Sequence, residues 1–151
     1  MSWLMNTWYV AAWDSEVGAG QLFHRTLLNL PVLMFRDANG VASAMLDRCP
    51  HRFVPLHLGR LDNGTVHCRY HGLAFNGRGQ CVLNPHGSGA IPRAARVRTF
   101  PLVERYSLLW IWMGDAERAD PSLIPDFSFQ DPERCFVGKR YLHARANYLL
   151  E

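Results

Sequence analysis

The 151-residue chain predicts an all-β domain, and two observations carry that prediction. Short β-prone runs alternate with turns built from Gly, Asn and Pro along most of the length. The apolar run SLLWIWM, from Ser107, is the strongest candidate for a buried strand. A composition of 48% hydrophobic and 19% charged residues is that of an ordinary globular protein rather than a disordered one. No repeat or low-complexity stretch interrupts the pattern.

Taken in order, the elements explain themselves. Residues 32–36 and 41–46 flank Asp37-Ala38-Asn39-Gly40, the pattern of a hairpin. Asp62-Asn63-Gly64 turns the chain ahead of residues 65–68, and Asn76-Gly77-Arg78-Gly79 turns it again ahead of 80–83. The buried strand spans 108–112. Beyond Gly114 the texture changes: residues 115–125 are polar, with two prolines, and read as a connection with one helical turn. Residues 135–146 return to a β-prone pattern in which Tyr141 and His143 alternate.

Chemistry enters at two short motifs. Cys49 and His51 stand in CPH, and Cys68 and His71 in CRYHG, giving C-x-H, sixteen intervening residues, then C-x-x-H. Two thiolates and two imidazoles supplied as mixed pairs suit a [2Fe–2S] cluster with unequal irons, one bound by both Cys and the other by both His. Neutral imidazole leaves such a cluster less negative than four thiolates would, so it accepts an electron more readily. Cys2His2 is also a zinc ligand set, but zinc fingers present a Cys pair and then a His pair, and here each pair is mixed. Both pairs fall on loops of the β framework, which can hold ligands rigidly and still present them to a redox partner. Pro50 restricts the first loop, and Gly72 allows a close backbone approach or an unusual φ in the second.

The segment CPHRFVPLHLGRLDNGTVHCRYHGLAFNGRGQCVLNPHG, with PLVERYSLLWIWMGD further on and NTWYVAAW near the start, resembles Rieske oxygenases of the vanillate O-demethylase and dicamba monooxygenase branch. The resemblance implies the Rieske fold, antiparallel sheets with a small cluster-binding subdomain, over residues 1–114. It implies that residues 115–151 are a connection and the beginning of an α+β catalytic domain, with 146–151 opening the helix that carries a mononuclear Fe(II) motif. Cys49, His51, Cys68 and His71 would be the cluster ligands, supported by Tyr70 and Gly72, and Asn84-Pro85-His86-Gly87 would be the loop that shields the cluster. Respiratory Rieske proteins carry an extra disulfide whose positions correspond to Val54 and Tyr70 here, so the oxygenase or ferredoxin type is implied instead. A reductase or ferredoxin would donate electrons, and the Fe(II) would activate O2 for hydroxylation of an aromatic ring or an O-methyl carbon. The acceptor iron would lie in a neighbouring subunit of a homotrimer. A stand-alone Rieske-type ferredoxin carries the same ligand motif, but a minimal carrier has no need of residues 135–151.

The remaining features narrow the reading. Residues 48–98 hold eight arginines against one acid, a charge of +7, while the rest of the chain carries eight bases and twelve acids, −4. Arg52 and Arg69, next to the ligands, suit either the docking of an acidic donor or simple solvation of the loops. The arginines are dispersed and lack a recognition motif, which argues against nucleic-acid binding. No apolar run is long enough to cross a bilayer, and the N-terminus lacks a basic region, so the expectation is a cytoplasmic protein without a signal peptide. Cys81 and Cys135 then stay as thiols. His24, His57, His67, His86 and His143 are expected to be non-ligands, the five tryptophans to be packing residues, and Glu104 and Arg105 to be surface or structural residues. No nucleotide-binding fingerprint is present, so NADH or flavin would act through the donor.

Overall fold

Strands buried on both faces divide the protein into layers. A computed structural model describes residues 3–130, 133 and 135–144, and its strands pair entirely antiparallel. One sheet has the order β1 (Thr7–Trp13), β11 (Leu108–Met113), β10 (Leu102–Arg105). A second runs β2 (Phe23–Leu27), β3 (Leu30–Arg36), β4 (Ala42–Leu46), β9 (Thr99–Phe100). The third runs β5 (Arg60–Asp62), β6 (Thr65–His67), β7 (Ala74–Phe75), β8 (Cys81–Leu83).

The two-residue period of a strand decides which core each side chain joins. On β11, Leu108, Trp110 and Trp112 pack outward with Trp8 and Ile124. Leu109, Ile111 and Met113 point the other way, into a central core with Ala11, Val17 and Phe100. On β3, Val32 and Met34 complete that central core, whereas Leu33 and Phe35 face a third core that contains Cys49 and Cys68. Ala44 and Met45 of β4 split in the same way. All six residues of β11 are buried, as expected of the apolar run, and each large side chain contributes about 1.5–3 kcal/mol of burial. A bulge between Val10 and Ala12 turns both Ala11 and Ala12 inward on β1. Trp8 meets Trp112 edge-on at 5.4 Å, so these tryptophans are packing residues.

The turns follow the sequence where glycine or asparagine marks them. Asp37 accepts from the N–H groups of Asn39 (2.9 Å) and Val41 (3.0 Å), closing the β3–β4 hairpin. Asn63 and Gly64 both have positive φ between β5 and β6, and a Cβ on Gly64 would lie 2.2 Å from the backbone nitrogen of Ala38. Asn76 accepts from Arg78 and Gln80 at 3.0 Å and shapes the β7–β8 turn. Arg36 reaches from β3 to Glu104 of β10 with two hydrogen bonds of 2.8 and 2.9 Å, tying the first two sheets together. Arg105 donates to the carbonyl of Pro121, so Glu104 and Arg105 are structural as expected.

Residues 115–125 contain two short 3-10 turns, Ala116–Arg118 and Pro121–Leu123, one more than expected there, and a third follows at Ser128–Gln130. The first two are capped by Asp115 and Asp120. The β-prone reading of 135–146 is corrected over its described part: 135–144 forms no strand. No ladder joins it to another strand among the described residues, and Phe136 and Leu142 are almost fully exposed. The segment is held instead by Lys139, 2.9 Å from Asp14, and by Tyr141, whose ring lies 4.6 Å from the Arg25 guanidinium. The helix expected at 146–151 lies outside the described residues. Among the described residues no helix is long and apolar enough to cross a membrane.

Candidate metal centre

Each Cys/His pair stands on a loop closed by the same two backbone hydrogen bonds. In the first, the N–H of Cys49 donates to the carbonyl of Val54 and the N–H of Phe53 donates back to Cys49, both at 2.9 Å. In the second, Cys68 donates to Leu73 at 2.8 Å and Gly72 donates back to Cys68 at 3.0 Å. The residue four places after each Cys is in the left-handed region, with φ of 61° at Phe53 and 73° at Gly72. The loops are therefore local copies of one another, and they bring Cys49 close to Cys68 and His51 close to His71.

Within this frame the two donor types separate by depth. Cys49 and Cys68 are buried in the third core with Leu56, Val66, Leu73 and Phe75, and their thiols lie within hydrogen-bond reach of each other. His51 is exposed and His71 half-buried, with ring centroids 4.6 Å apart. Burial pushes the Cys49 thiol up to about 11, and the neighbouring Cys68 adds to the rise. The backbone N–H groups of His51 and Arg52 point at the Cys49 sulfur and oppose that rise. Desolvation, followed by the charges of His51, His86 and Arg52, holds the His71 imidazole below its ordinary value, which favours the neutral form that binds metal.

The segment 84–87 folds over this pair. His86 donates from Nε2 to the carbonyl of His71 at 2.7 Å, and its ring meets that of His71 edge-on at 6.0 Å. Gly72 approaches Pro85 so closely that a Cβ would stand 3.0 Å from the proline Cγ, so both readings of this glycine apply. A cavity of about 480 Å³ lies beside the two imidazoles, bounded by Pro50, Leu73, Asn84 and Pro92 among others.

The donor set fits a binuclear cluster. A single zinc would need its ligands to converge on one point, and among the described residues no three His, Cys, Asp or Glu side chains do so. Two irons need only two protein ligands each, a buried thiol pair and an outward imidazole pair. Three of the other histidines have partners of their own: His24 stacks on His57 at 3.7 Å, His57 bonds to Asp47, and His67 lies 3.4 Å from Arg60. Arg52 and Arg69 are exposed beside the ligands, as are Phe53 and Tyr70. Val54 and Tyr70 line one surface hollow with Arg69, and neither is a cysteine. Cys81 is a buried thiol in the same core, and Cys135 is an exposed thiol that donates to the carbonyl of Phe129 at 2.8 Å.

Sequence reasoning missed Asp47, the buried charged residue at the foot of the first loop, whose partner His57 lies ten positions on. It also gave His86 no specific contact. Asp47 belongs to no motif, and both pairings depend on how the loops fold back.

An antiparallel β framework with two mixed Cys/His loops defines an iron–sulfur electron-transfer domain. The model of the Rieske [2Fe-2S] domain matches residues 7–101, and the chain belongs to that family. It is 51% identical over 151 residues to the oxygenase component of dicamba O-demethylase from Stenotrophomonas maltophilia, covering 99% of this chain and 44% of that protein. It is 49% identical over 147 residues to the iron-sulfur subunit of a toluene-4-sulfonate monooxygenase system from Comamonas testosteroni, covering 97% and 42% respectively. The crystal structure of dicamba monooxygenase bound to dicamba superposes with a TM-score of 0.79 at 53% identity, over 83% of this chain and 39% of that one. The chain thus spans less than half the length of the relatives it matches.

Proposed function

We propose that Cys49 and Cys68 bind the inner iron and His51 and His71 the outer iron of a Rieske [2Fe-2S] cluster. The observation that carries this reading is the pair of matching loops, which sets two thiols in an apolar core and two imidazoles toward the surface. When bound, the cluster supplies one-electron redox chemistry at a potential raised by its neutral His ligands. The chain's own residues orient that chemistry. The N–H groups of His51 and Arg52 face the inner sulfur, Pro85 and His86 cover one side of His71, and His51 is left at the surface.

On this reading residues 1–114 are the Rieske domain and 115–151 connect it to a catalytic domain. The chain acts as the electron-transfer portion of an aromatic ring-hydroxylating or O-demethylating oxygenase. It takes electrons from a reductase or ferredoxin and delivers them to a mononuclear non-haem iron that activates O2, in a homotrimer where that iron belongs to a neighbouring subunit. Similarity to oxygenase components over nearly the whole chain supports this over a stand-alone carrier. The exposed Arg52 and Arg69, beside Phe53 and Tyr70, offer a basic, aromatic surface at the His side for an acidic donor.

The test replaces an outer ligand. His71→Cys keeps a metal-binding side chain but adds negative charge, so the cluster potential falls and the two-imidazole signature in electron spin-echo spectra is lost. An intact cluster with unchanged potential and spectrum would contradict the assignment.

A further inference from the structure

The two ligand loops match in their tips but differ at their bases. The second loop springs from β6 and β7, adjacent strands of one sheet, and the pairs Val66 with Phe75 and His67 with Ala74 close it. The first loop begins after β4, in the second sheet, and its far arm leads through the 3-10 turn Leu56–Leu58 into β5 of the third sheet. No ladder joins those two arms.

Asp47 joins them instead. One carboxyl oxygen accepts the backbone N–H of His57 at 2.8 Å, and the other bonds to the His57 Nδ1. The Asp47 N–H donates to the carbonyl of Pro31 on β3 at 2.9 Å, fixing the residue to the second sheet. Asp47 is buried, and the His57 ring stacks on His24 of β2 at 3.7 Å with its plane tilted by 14°. A side chain of this polarity, buried two residues before a ligand, is costly unless its hydrogen bonds are kept. Those bonds span ten residues and enclose both Cys49 and His51.

We propose that Asp47 and His57 form a positioning clamp that sets the first ligand pair against the second and thereby tunes the cluster. The clamp does for the first loop what the β6–β7 ladder does for the second. Opening it frees the first loop to drift from Cys68 and His71 and weakens the N–H groups of His51 and Arg52 at the Cys49 sulfur, which lowers the potential. Asp47 and His57 are positioning residues, and the proposal rests on the ligand assignment above.

The experiment uses the native full-length protein with its cluster. His57→Leu removes the donor at Nδ1, while His57→Asn places an amide N–H near the same point. In His57→Leu the potential falls and the cluster is lost to a chelator about 10–100-fold faster, the usual scale for residues that orient ligands; His57→Asn restores both. A wild-type potential and loss rate in His57→Leu would overturn the clamp. If His57→Leu does not fold, His57→Phe, which keeps a ring to stack on His24 and the backbone N–H to Asp47 and loses only the Nδ1 bond, is read in the same way. Failure of both to fold would make the pair a folding element and also overturn the proposal. Failure of the ligand assignment shows separately, as absence of the two-imidazole signature in the unmutated protein.

Discussion

Gly72→Ala tests how the second ligand loop is seated, and the first loop supplies its control. Gly72 sits at φ 73°, where a side chain costs roughly 1–2 kcal/mol. Restricting the unfolded chain returns about 0.4–1 kcal/mol, so the backbone contribution alone is a loss of about 1 kcal/mol. The new Cβ would also stand 3.0 Å from Cγ of Pro85, so the covering loop must move by a few tenths of an ångström. For a domain of this size a loss of 1 kcal/mol lowers Tm by about 2–8 °C. The assay is a thermal melt of the protein, followed by redox titration of its cluster. Phe53 occupies the matching place at φ 61° with a full side chain, so Phe53→Ala leaves that loop's backbone unchanged. It removes only the Arg48 contact over the ring at 4.3 Å, worth about 0.5–1 kcal/mol. Equal Tm values for Gly72→Ala and wild type would refute the reasoning, because both the strain and the Pro85 contact would then be absent.

Three further outcomes are expected from the same structure. Arg52→Glu, at the exposed rim beside His51, slows reduction of the cluster by an acidic donor and flattens its dependence on salt, read by stopped-flow at several ionic strengths. Glu104→Gln breaks the paired bonds to Arg36; because Glu104 is about two-fifths exposed, the loss is held to about 0.5–1 kcal/mol and shrinks in high salt, read from urea midpoints. Ile111→Ala in the central core costs about 2–5 kcal/mol by the same assay, since its side chain is fully buried between the first two sheets.

The Rieske family, the all-β class and the turns at 37–40, 62–64 and 76–79 were legible because they depend on local chemistry. Asn63 and Gly64 both take positive φ, and Gly40 and Gly79 do so at the ends of the other two turns. The turns at Leu28-Asn29 and Tyr106-Ser107 also place both central residues at positive φ, yet carry no glycine, and so were silent. Strands β1 and β2 were missed for a related reason. Thr7–Trp13 is distinguished by its pairing with β11 rather than by its own alternation, which the bulge at Val10 and Ala12 breaks. Residues 135–144 erred in the opposite direction, with the alternation of a strand but no ladder among the described residues. The Asp47–His57 contact needs the folded loop before it exists at all.

The layered cores connect that fold to the chemistry. β3 faces the central core with Val32 and Met34 and the cysteine-bearing core with Leu33 and Phe35, so the wall behind the site is packed on both sides. A wall of this kind transmits displacement rather than absorbing it, since close-packed interiors have few voids to yield. Pro31 at its end holds Asp47 through the Asp47 N–H, and Asp47 holds the far arm of the first loop. The thiols therefore sit on the rigid side and the imidazoles on the solvent side. Burial that raises the Cys49 thiol to about 11 disfavours a lone thiolate there, whereas a bound iron supplies the positive charge that offsets it. The same depth that makes Cys49 a poor free nucleophile would make it a sound anchor for a metal, and it leaves the His51 and His71 imidazoles nearer the surface than either thiol.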